Sequence, residues 1–576
     1  MVDDLNMVVD GAEKIGVIGS PSSTSNLTLD ILGTAVNKRL VGNLSIFSYD
    51  QEGLDHYALG QIVEIEMRNV WTQDPTMRGL IRQRGRVDPI TERQDTHTAT
   101  MAISSVFGCS GDKMKQSILG TVPPTGTSIK LLNDEIMAAL LKDYQDQLFY
   151  LGNAYGTDIP LPMWFKHFGE GEYGTGEAYH LGIFGKTGSG KSVLAKMILT
   201  GYARHEEMSI FILDPQGEFS KDVLGKTELK RIIDQYDRNV EIYSLHNIAL
   251  TGWELFKKIL VNSGFLNRLG IILDTNRWQA AYQIERILLD SHVDGKKNRG
   301  KVLWDCHKRQ FFEVVWNRLQ SEEVIKHIYT SPDLQQRVLQ AIETADVEET
   351  FREWERITNL FSFVGKINGT TITRLVEKIS ERNKMVLIDL SGANQPENLY
   401  WNETIKFIVI GQFLELIGKK AEQQYKEDEL LNGLIIIDEA HRLAPREKNE
   451  NEDLEAVKKY LVDAVRTTRK YGLGWLFISQ TLSSLHRDII SQIRIYLFGF
   501  GLGWGIERQA LQEIIGGQRE AMALYQRFRD PQSSLEEREY SFMSYGPVSP
   551  LSFSGTPLFF NAFHFPMEFF KENNFM

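Results

Sequence analysis

Apolar and polar positions change their spacing several times along the chain. In residues 1 to about 155, short apolar or alternating runs recur, and glycine, proline, serine and asparagine cluster between them. Brief strands separated by turn residues are typical of a small β-barrel or β-sandwich. The runs that predict strands in this region are 15–18, 27–32, 44–47, 62–67 and 98–103.

From about 160 to 245 the pattern alternates between strand and helix. An apolar run at 181–184 leads through a glycine-rich turn into the helix-prone segment 193–199, and a second apolar strand at 209–213 ends at Asp214. Such alternation predicts a parallel sheet that binds ligands at the carboxyl ends of its strands. The later elements expected in this sheet region are a strand at 385–390, a helix at about 397–421, a strand at 434–437, a helix ending near Tyr471, and strands at 475–478 and 495–498.

Two segments break this alternation. Between about 250 and 375, helical periodicity and charge dominate, as in 278–289, which predicts a mainly helical insertion. After about 530 the chain is rich in turn residues and in phenylalanine. A segment so apolar is not expected to be a free linker, so we expect it to dock on a neighbouring surface.

The glycine-rich turn fits the pattern G-x-x-x-x-G-K-[ST] and lies between a strand and a helix, where that pattern has chemical meaning. Backbone N–H groups and the positive end of the helix dipole then point at a polyphosphate. Lys191 would reach the outer phosphates, and the Ser192 hydroxyl would hold Mg²⁺. The residues predicted to bind the nucleotide are Gly185, Lys186, Thr187, Gly188, Ser189, Gly190, Lys191, Ser192 and Val193.

Two acids, Asp438 and Glu439, follow the apolar run 434–437. A buried central strand that ends in two acids suits metal-assisted phosphate hydrolysis. Asp438 would hold the Mg²⁺ shell, and Glu439 would polarise the attacking water. The alternative is a strand end with two solvated acids, but the phosphate loop upstream favours the catalytic interpretation.

Two further strand ends carry candidate catalytic residues. Gln480 follows the strand at 475–478, where its amide could hydrogen-bond the γ-phosphate or the water, and a simple turn residue is the alternative. Asp214 begins the segment Asp-Pro-Gln-Gly-Glu. Proline and glycine alone would explain a turn there, but a carboxylate at a strand end beside the nucleotide is also a candidate for the surroundings of the site.

Arg466, Arg469 and Lys470 lie at the end of the helix that precedes the strand at 475–478. Cations at a helix C-terminus complement the helix dipole, which is the simpler interpretation. The other interpretation is an arginine finger, a guanidinium that crosses a subunit boundary to stabilise charge on the γ-phosphate. In that case the protein is an oligomer.

The composition indicates the kind of protein and the environment in which these motifs act. The 576 residues are 42% hydrophobic and 24% charged, and no apolar run approaches the roughly 20 residues of a membrane span. The N-terminus lacks the features of a signal peptide, and the two cysteines, Cys109 and Cys306, suit a reducing cytoplasm. With a net charge of −12, any contact with DNA must be local. Two basic clusters are candidates, each with a solvated loop as the simpler interpretation: Arg78, Arg82, Arg84 and Arg86, and the segment 296–301.

The motifs together resemble the HerA branch of the FtsK–HerA ATPases. The residues that carry the resemblance are 181–192, 214–219, 438–445, 469–472 and 478–481. The resemblance implies an α/β fold with a RecA-like P-loop NTPase core, an N-terminal β-barrel and a helical insertion. The divisions it implies are the barrel (1–155), the first part of the core (156–249), the insertion (250–378), the second part of the core (379–530) and a C-terminal brace (531–576).

The resemblance also implies a homohexameric ring that threads double-stranded DNA through its centre and is driven by ATP with Mg²⁺. It places at the nucleotide Lys191, Ser192, Asp438, Glu439 and Gln480. It places Arg469 in the site of the next subunit. HerA proteins often have an arginine where this chain has Tyr179, so a second positive charge at the nucleotide is in doubt.

HerA proteins generally act with a partner. The resemblance therefore implies an effector docked on the barrel, either a nuclease in DNA end processing or a nuclease or sirtuin-like NADase in defence against phage. An ATP-switched ring scaffold that activates its effector without translocation is the alternative, because the sequence has no clear basic stripe. A membrane-anchored DNA pump would require transmembrane helices, which the sequence does not predict.

Overall fold

The computed structural model describes residues 2–85, 95–110, 113–171, 173–225, 227–290, 299–391, 397–533, 538–552 and 555–575. Within these residues the chain forms a β-barrel, a large mixed sheet flanked by helices, and a helical insertion. The predicted α/β class with a barrel and an insertion is confirmed. In the described part of the chain, no helix is both long and apolar enough to cross a membrane.

The barrel is built from antiparallel strands near the N-terminus. Its strands are β1 (Lys14–Ile18), β2 (Asn26–Ile31), β3 (Leu44–Gln51), β4 (Leu54–Asn69), β5 (Asp95–Ser110), β6 (Lys113–Ser117) and β7 (Ser128–Leu131). Six of them pair in the order β2-β1-β7-β3-β4-β5, and β2 pairs with β5 to close the ring, while β6 extends β5. Buried aliphatic and aromatic side chains fill the interior. Each of the five predicted strands is present.

The helices of this region are α1 (Val2–Gly11), α2 (Pro75–Arg84) and α3 (Asp134–Leu140). The loop predicted around Arg78, Arg82 and Arg84 is wrong, because these residues lie on α2 with exposed side chains. The side chain of Asp74 caps the helix by accepting backbone hydrogen bonds at its first turn. That cap and the proline at the first helical position explain why a helix forms here. Arg86 lies outside the described residues.

The large sheet has eleven strands. They are β8 (Phe149–Ala154), β9 (Pro160–Met163), β10 (His180–Phe184), β11 (Ser209–Asp214), β12 (Asn239–Ser244), β15 (Lys384–Asp389), β16 (Gly433–Ile437), β17 (Leu473–Ser479), β18 (Ile493–Phe498), β19 (Tyr540–Tyr545) and β20 (Leu558–Ala562). Their order is β12-β15-β11-β16-β17-β10-β18-β19-β20-β8-β9, and the first seven run parallel. Parallel strands covered on both faces are buried along their length, as β10, β11, β15, β16 and β17 are.

Helices connect and cover these parallel strands. They are α4 (Lys191–Ala203), α5 (Glu218–Leu224), α6 (Glu228–Gln235), α16 (Glu403–Lys426), α17 (Ala440–Leu443), α18 (Glu452–Thr468), α19 (Arg487–Ile490), α20 (Gly505–Ile514) and α21 (Arg519–Tyr525). The helix predicted at about 397–421 begins later, at Glu403, because the Asn402 side chain caps it by accepting the Ile405 N–H.

The insertion is helical, as predicted. Its helices are α7 (Trp253–Asn262), α8 (Phe265–Arg268), α9 (Asp274–Asp290), α10 (Arg299–Asp305), α11 (Arg309–Leu319), α12 (Glu322–Ile328), α13 (Pro332–Thr344), α14 (Val347–Thr358) and α15 (Ile372–Glu377). Its two ends meet where β13 (Ile248–Ala249) pairs with β14 (Thr370–Thr371). Of the basic segment predicted to form a loop, 296–298 lie outside the described residues and 299–301 begin α10 instead.

The C-terminal segment pairs with the large sheet. Strands β19 and β20 run antiparallel to its edge and are followed by β8 and β9, and α22 (Met567–Glu572) ends the segment. The buried phenylalanines among the described residues of this segment are Phe542, Phe559, Phe560, Phe563, Phe569, Phe570 and Phe575. The docking predicted from their number therefore takes the form of strand pairing.

One side chain ties the barrel to this segment. The Gln61 amide nitrogen donates to the Phe559 carbonyl oxygen at 3.0 Å, and its amide oxygen accepts the Phe559 N–H at 2.8 Å. Both residues are buried. The Gln61 side chain therefore makes the two hydrogen bonds that a paired strand residue would make, and it links β4 to β20.

Candidate nucleotide site

The phosphate loop, residues 185–190, joins β10 to α4. Gly188 and Gly190 have φ angles of 82° and 87°, the left-handed region that favours glycine. A Cβ atom at these positions would lie 2.4 Å from the Gln532 amide nitrogen and 2.6 Å from the Tyr540 ring, respectively. The C-terminal segment therefore closes directly over the loop, and only glycine fits beneath it.

The rest of the loop is held by its own backbone. The Lys186 N–H donates to the Phe500 carbonyl oxygen at 2.9 Å, and the Ser189 N–H donates to the Lys186 carbonyl oxygen at 3.1 Å. Val193 lies in the first turn of α4 and packs half-buried against the core. Gly185 extends from the end of β10, so all nine predicted nucleotide-binding residues lie in one continuous turn and helix start.

Lys191 is the first residue of α4 and is 9% exposed. Its Nζ donates to the Lys186 carbonyl oxygen at 3.1 Å, so the side chain curls back over the loop. Burial lowers the pKa of Lys191, and the charges of Glu439, Asp438 and Glu218 oppose that shift. The ammonium group is thus placed among acids, inside the loop that would enclose a phosphate.

Asp438 and Glu439 follow the buried strand β16 directly and are themselves buried. Burial, followed by the neighbouring charges of Glu439 and Glu218, raises the pKa of Asp438 to about 7. Glu439 has a φ of 53°, and its N–H donates to the Asp438 carboxylate at 2.8 Å. A left-handed backbone at a glutamate is uncommon and turns this side chain away from the strand.

A chain of polar contacts joins three predicted residues that are distant in sequence. The Thr187 hydroxyl donates to the Gln480 amide oxygen at 3.1 Å, and the Gln480 amide nitrogen donates to Glu439 Oε1 at 2.7 Å. The phosphate loop, the end of β17 and the end of β16 therefore meet. The second carboxylate oxygen, Oε2 of Glu439, is buried and accepts no hydrogen bond from the described residues.

The predicted metal ligands, Ser192 and Asp438, lie on the same side of the loop. The Ser192 hydroxyl donates to Glu218 Oε2 at 3.0 Å, which adds a second carboxylate next to it. Hydroxyl and carboxylate oxygens are ligands that Mg²⁺ takes together with substrate phosphates. The donor set therefore fits this ion.

Asp214, predicted as a candidate for the surroundings of the site, lies at the end of β11 and holds the turn that follows it. Its carboxylate is buried and accepts the backbone N–H groups of Gly217, Glu218 and Ser220 at 2.8, 3.2 and 2.9 Å. Both oxygens are engaged in this turn. In this arrangement Asp214 fixes the turn that presents Glu218 to Ser192.

Residues 178–417 match the family model described as "Helicase HerA, central domain". This segment, less than half of the chain, is therefore similar to the central domain of HerA-type P-loop ATPases. No curated protein matches the chain in sequence.

Three solved structures are weak matches to this chain. VirB4 of Thermoanaerobacter pseudethanolicus is 14% identical with a TM-score of 0.37, covering 73% of this chain and 97% of its own. The genome packaging NTPase B204 from Sulfolobus turreted icosahedral virus 2, in complex with AMPPCP, is 11% identical with a TM-score of 0.27, covering 67% and 98%. The bacterial conjugative coupling protein TrwBdeltaN70 is 12% identical with a TM-score of 0.33, covering 67% and 85%. None of the three carries weight for the function of this chain.

The predicted arginine finger, Arg469, lies at the opposite end of the sheet from the phosphate loop. Arg469 begins a 3₁₀ turn, Arg469–Tyr471, just before β17, whereas Gln480 follows the end of that strand. Seven strand residues rising about 3.3 Å each separate the two by about 20 Å. Arg469 is half-exposed and lies 3.9 Å from Glu177, while Arg466 pairs with Asp488 at 2.8 Å. Neither arginine can therefore reach the phosphate loop of its own chain.

Tyr179, at the position where HerA proteins often have arginine, is buried at the same end of the sheet. The Tyr202 hydroxyl donates to its oxygen at 2.8 Å, and Tyr179 donates to the Lys166 carbonyl oxygen at 3.4 Å. Burial raises the pKa of Tyr179 to about 12. The side chain is therefore neutral and turned inward, so this position presents no cation to a neighbour.

A buried network fixes the helix end that carries Arg466 and Arg469. His180 Nε2 lies 2.9 Å from the Val465 carbonyl oxygen, and His180 Nδ1 accepts the Trp475 N–H at 3.2 Å. The Trp475 indole donates to the Thr468 hydroxyl at 2.8 Å. Burial lowers the pKa of His180 to about 4, so the imidazole is neutral and joins α18 to β17.

Three residues of the site were not predicted as ligands or contacts. Glu218 belongs to a predicted motif, but the sequence gives no signal that its carboxylate reaches Ser192. Gln532 and Tyr540 come from the C-terminal segment, where no motif marks them. Only the pairing of β19 with β18 brings them to the phosphate loop.

Proposed function

We propose that this protein hydrolyses ATP to drive a homohexameric ring along double-stranded DNA. The observation that carries the proposal is the chain from Thr187 through Gln480 to Glu439. It connects the phosphate loop to a buried carboxylate through an amide at the place where a γ-phosphate would lie. That arrangement serves phosphoryl transfer to water, in which positioning and charge stabilisation supply most of the rate.

Glu439 serves as the base in this proposal. Gln480 occupies its Oε1, which leaves Oε2 to orient a water molecule and accept its proton. The water oxygen forms a bond to the γ-phosphorus as the bond to the bridging β–γ oxygen breaks, so that ADP and phosphate leave. Lys191 and the loop N–H groups hold the phosphates during this step. Mg²⁺, held by Ser192 and Asp438, supplies charge neutralisation on the phosphate oxygens when bound.

The position of Arg469 supports the proposed ring. This arginine is about 20 Å from its own phosphate loop, by the length of β17, yet it is half-exposed at the end of a rigidly held helix. A guanidinium presented in this way can complete the site of an adjoining subunit. A closed ring gives every site such a neighbour.

The proposed partners follow from the family. They are double-stranded DNA within the ring and an effector on the barrel, a nuclease or a sirtuin-like NADase, in anti-phage defence or DNA end processing in the cytoplasm. In this proposal, chemistry on DNA or NAD belongs to the effector.

The test is ATP hydrolysis by the purified protein with and without duplex DNA. A DNA motor hydrolyses faster with duplex, and its DNA affinity falls steeply as salt rises. Hydrolysis that ignores duplex, together with salt-insensitive or absent DNA binding, would favour the ATP-switched scaffold instead. The net charge of −12 is the observation that keeps this second candidate.

A further inference from the structure

A cavity of about 490 Å³ lies beside Glu439. Its walls include Gln216, Lys406, Glu439, His441, Arg442 and Ser484. These residues come from the loop after β11, from α16, from the end of β16 with α17, and from the loop after β17. The cavity therefore lies at the same end of the parallel strands as the phosphate loop.

Arg442 connects this cavity to the catalytic carboxylate. Its Nε lies 3.7 Å from Glu439 Oε2, the oxygen that Gln480 leaves free. The Arg442 side chain is 65% exposed, whereas the Glu439 side chain is 10% exposed. An exposed cation thus lies beside a buried acid, without a hydrogen bond to fix it.

Lys406 and His441 line the same cavity, together with the carboxylates of Glu403 and Glu439. Lys406 Nζ donates to the Pro215 carbonyl oxygen at 3.1 Å and is 3.9 Å from Glu403. His441 Nε2 lies 3.4 Å from Glu439 Oε2, and its Nδ1 lies 3.2 Å from the Ser479 hydroxyl. A phosphate group would find two permanent cations here, Lys406 and Arg442, and planar guanidinium suits phosphate oxygens.

The backbone beneath Arg442 is fixed. Pro445 forms a β-bridge with Leu485, the Arg446 N–H donates to the Ser484 carbonyl oxygen at 2.7 Å, and the His486 N–H donates to the Ala444 carbonyl oxygen at 2.9 Å. The loops that follow β16 and β17 therefore form one ribbon. A phosphate in the cavity would move the Arg442 side chain rather than the loop.

We propose that the cavity receives a phosphate of the DNA backbone, which draws Arg442 away from Glu439 and frees Oε2 for the attacking water. This inference rests on the proposed DNA motor and names its regulation. In the DNA-free protein Arg442 occupies the approach to Oε2. Contact with DNA then permits hydrolysis at the adjoining nucleotide.

The first test is a double-mutant cycle on binding of a fluorescent duplex by the full-length protein without nucleotide. Glu439→Gln removes the charge that competes for Arg442, so its affinity for DNA should rise about two- to fivefold, the worth of an exposed ion pair. Arg442→Ala should weaken binding, and in that background Glu439→Gln should give no gain. Lys459→Ala, which removes an exposed cation of α18, is the charge-matched control and should keep the full gain.

Additive effects of the two substitutions would overturn the inference, because coupling through Arg442 is its content. Wild-type protein that fails to bind duplex would refute the DNA motor as well, and its ATPase rate would show whether hydrolysis stands alone. These two failures are therefore distinguishable.

The second test is hydrolysis. Arg442→Ala should raise the DNA-free rate and abolish the further rise with duplex, whereas Lys459→Ala should retain the wild-type ratio of the two rates. An unchanged ratio in Arg442→Ala would contradict the inference. Inorganic phosphate, at the concentration of phosphate present in the duplex, is the remaining comparison. Equal stimulation by that ion would assign the cavity to free phosphate and refute its assignment to DNA.

Discussion

At the carboxyl ends of the parallel strands, two buried oxygens, Ser189 Oγ and Glu439 Oε2, have no hydrogen-bond partner among the described residues. At the amino ends, the Trp475 N–H donates to His180, and His180, Trp475 and Tyr179 each form a further buried hydrogen bond with another residue of the chain. Buried polar groups are nearly always satisfied, so open ones mark a place that a ligand completes.

The two ends of the parallel strands therefore differ in the groups that they contribute. The carboxyl end holds positive φ angles, close acids and a buried lysine, all of which cost stability without a bound phosphate. The amino end holds the buried network of His180, Trp475 and Thr468, which fixes the helix that carries Arg466 and Arg469. In the proposed function, the amino end of an adjoining subunit supplies the last cation of the site, so the site is assembled between two molecules.

The largest expected effect on ATP turnover comes from a substitution at the amino ends of the strands. Arg469→Ala should leave the ring assembled and lower ATP turnover by about 10³-fold or more, because an arginine finger stabilises charge on the transferred phosphoryl group. Arg466→Ala, which removes the neighbouring cation, is the matched control. Steady-state hydrolysis and size-exclusion with light scattering measure the two properties.

Mixing subunits makes the same prediction decisive. Rings mixed from Arg469→Ala and Glu439→Gln subunits should recover activity, since some interfaces then combine an intact Glu439 with an intact Arg469. No recovery, or wild-type turnover by Arg469→Ala alone, would remove the finger role from this residue and pass it to Arg466 if that variant is the inactive one.

The next effect separates two roles within the carboxyl end. Glu439→Gln should lower turnover by about 10²- to 10⁴-fold while nucleotide still binds, because only the base is lost. Lys191→Ala should abolish turnover through loss of phosphate binding. Binding of a fluorescent ATP analogue distinguishes the two, and an equal loss of affinity in both variants would contradict the assigned roles.

The smallest effect concerns stability and comes from the amino end. Burial holds the pKa of His180 at about 4, below the ordinary 6.5, so its contribution is complete above pH 6.5 and is lost as the pH falls toward 4. The loss amounts to about 3 kcal/mol. Burial also lowers the pKa of His205 to about 4, which adds to the fall.

Urea unfolding at pH values from 7 to 4 measures this dependence. His180→Gln keeps a side chain that can donate and accept but cannot titrate, so its stability should fall less steeply over this range. The part due to His205 remains in the variant. An identical pH slope in wild type and His180→Gln would show that the amino-end network does not depend on a neutral imidazole.

Local patterns predicted the elements that make the carboxyl end. The sequence predicts the apolar strands β10, β16 and β17 and the polar residues after them, because each strand, its turn and its candidate site residues are adjacent in sequence. The meeting of Thr187, Gln480 and Glu439 follows from parallel pairing, which aligns strand ends. At this end of the sheet, the sequence was sufficient to predict which residues lie close together.

Distant pairing explains what the sequence did not reveal. Strands β19 and β20 join the sheet more than forty residues after β18, through antiparallel contacts that no local pattern encodes. Tyr540 and Gln532 reach the phosphate loop only through this pairing. The helix α2 was missed for a different reason: its cap at Asp74 outweighs the charge that favoured a loop.

The Gln61–Phe559 pair joins the barrel to the large sheet. Because a side chain stands in for strand backbone, β20 is fastened at once to the barrel wall and to the sheet that ends in the phosphate loop. Sliding one body against the other must break two hydrogen bonds shielded from water. The pair therefore holds β4 of the barrel against β20 of the sheet.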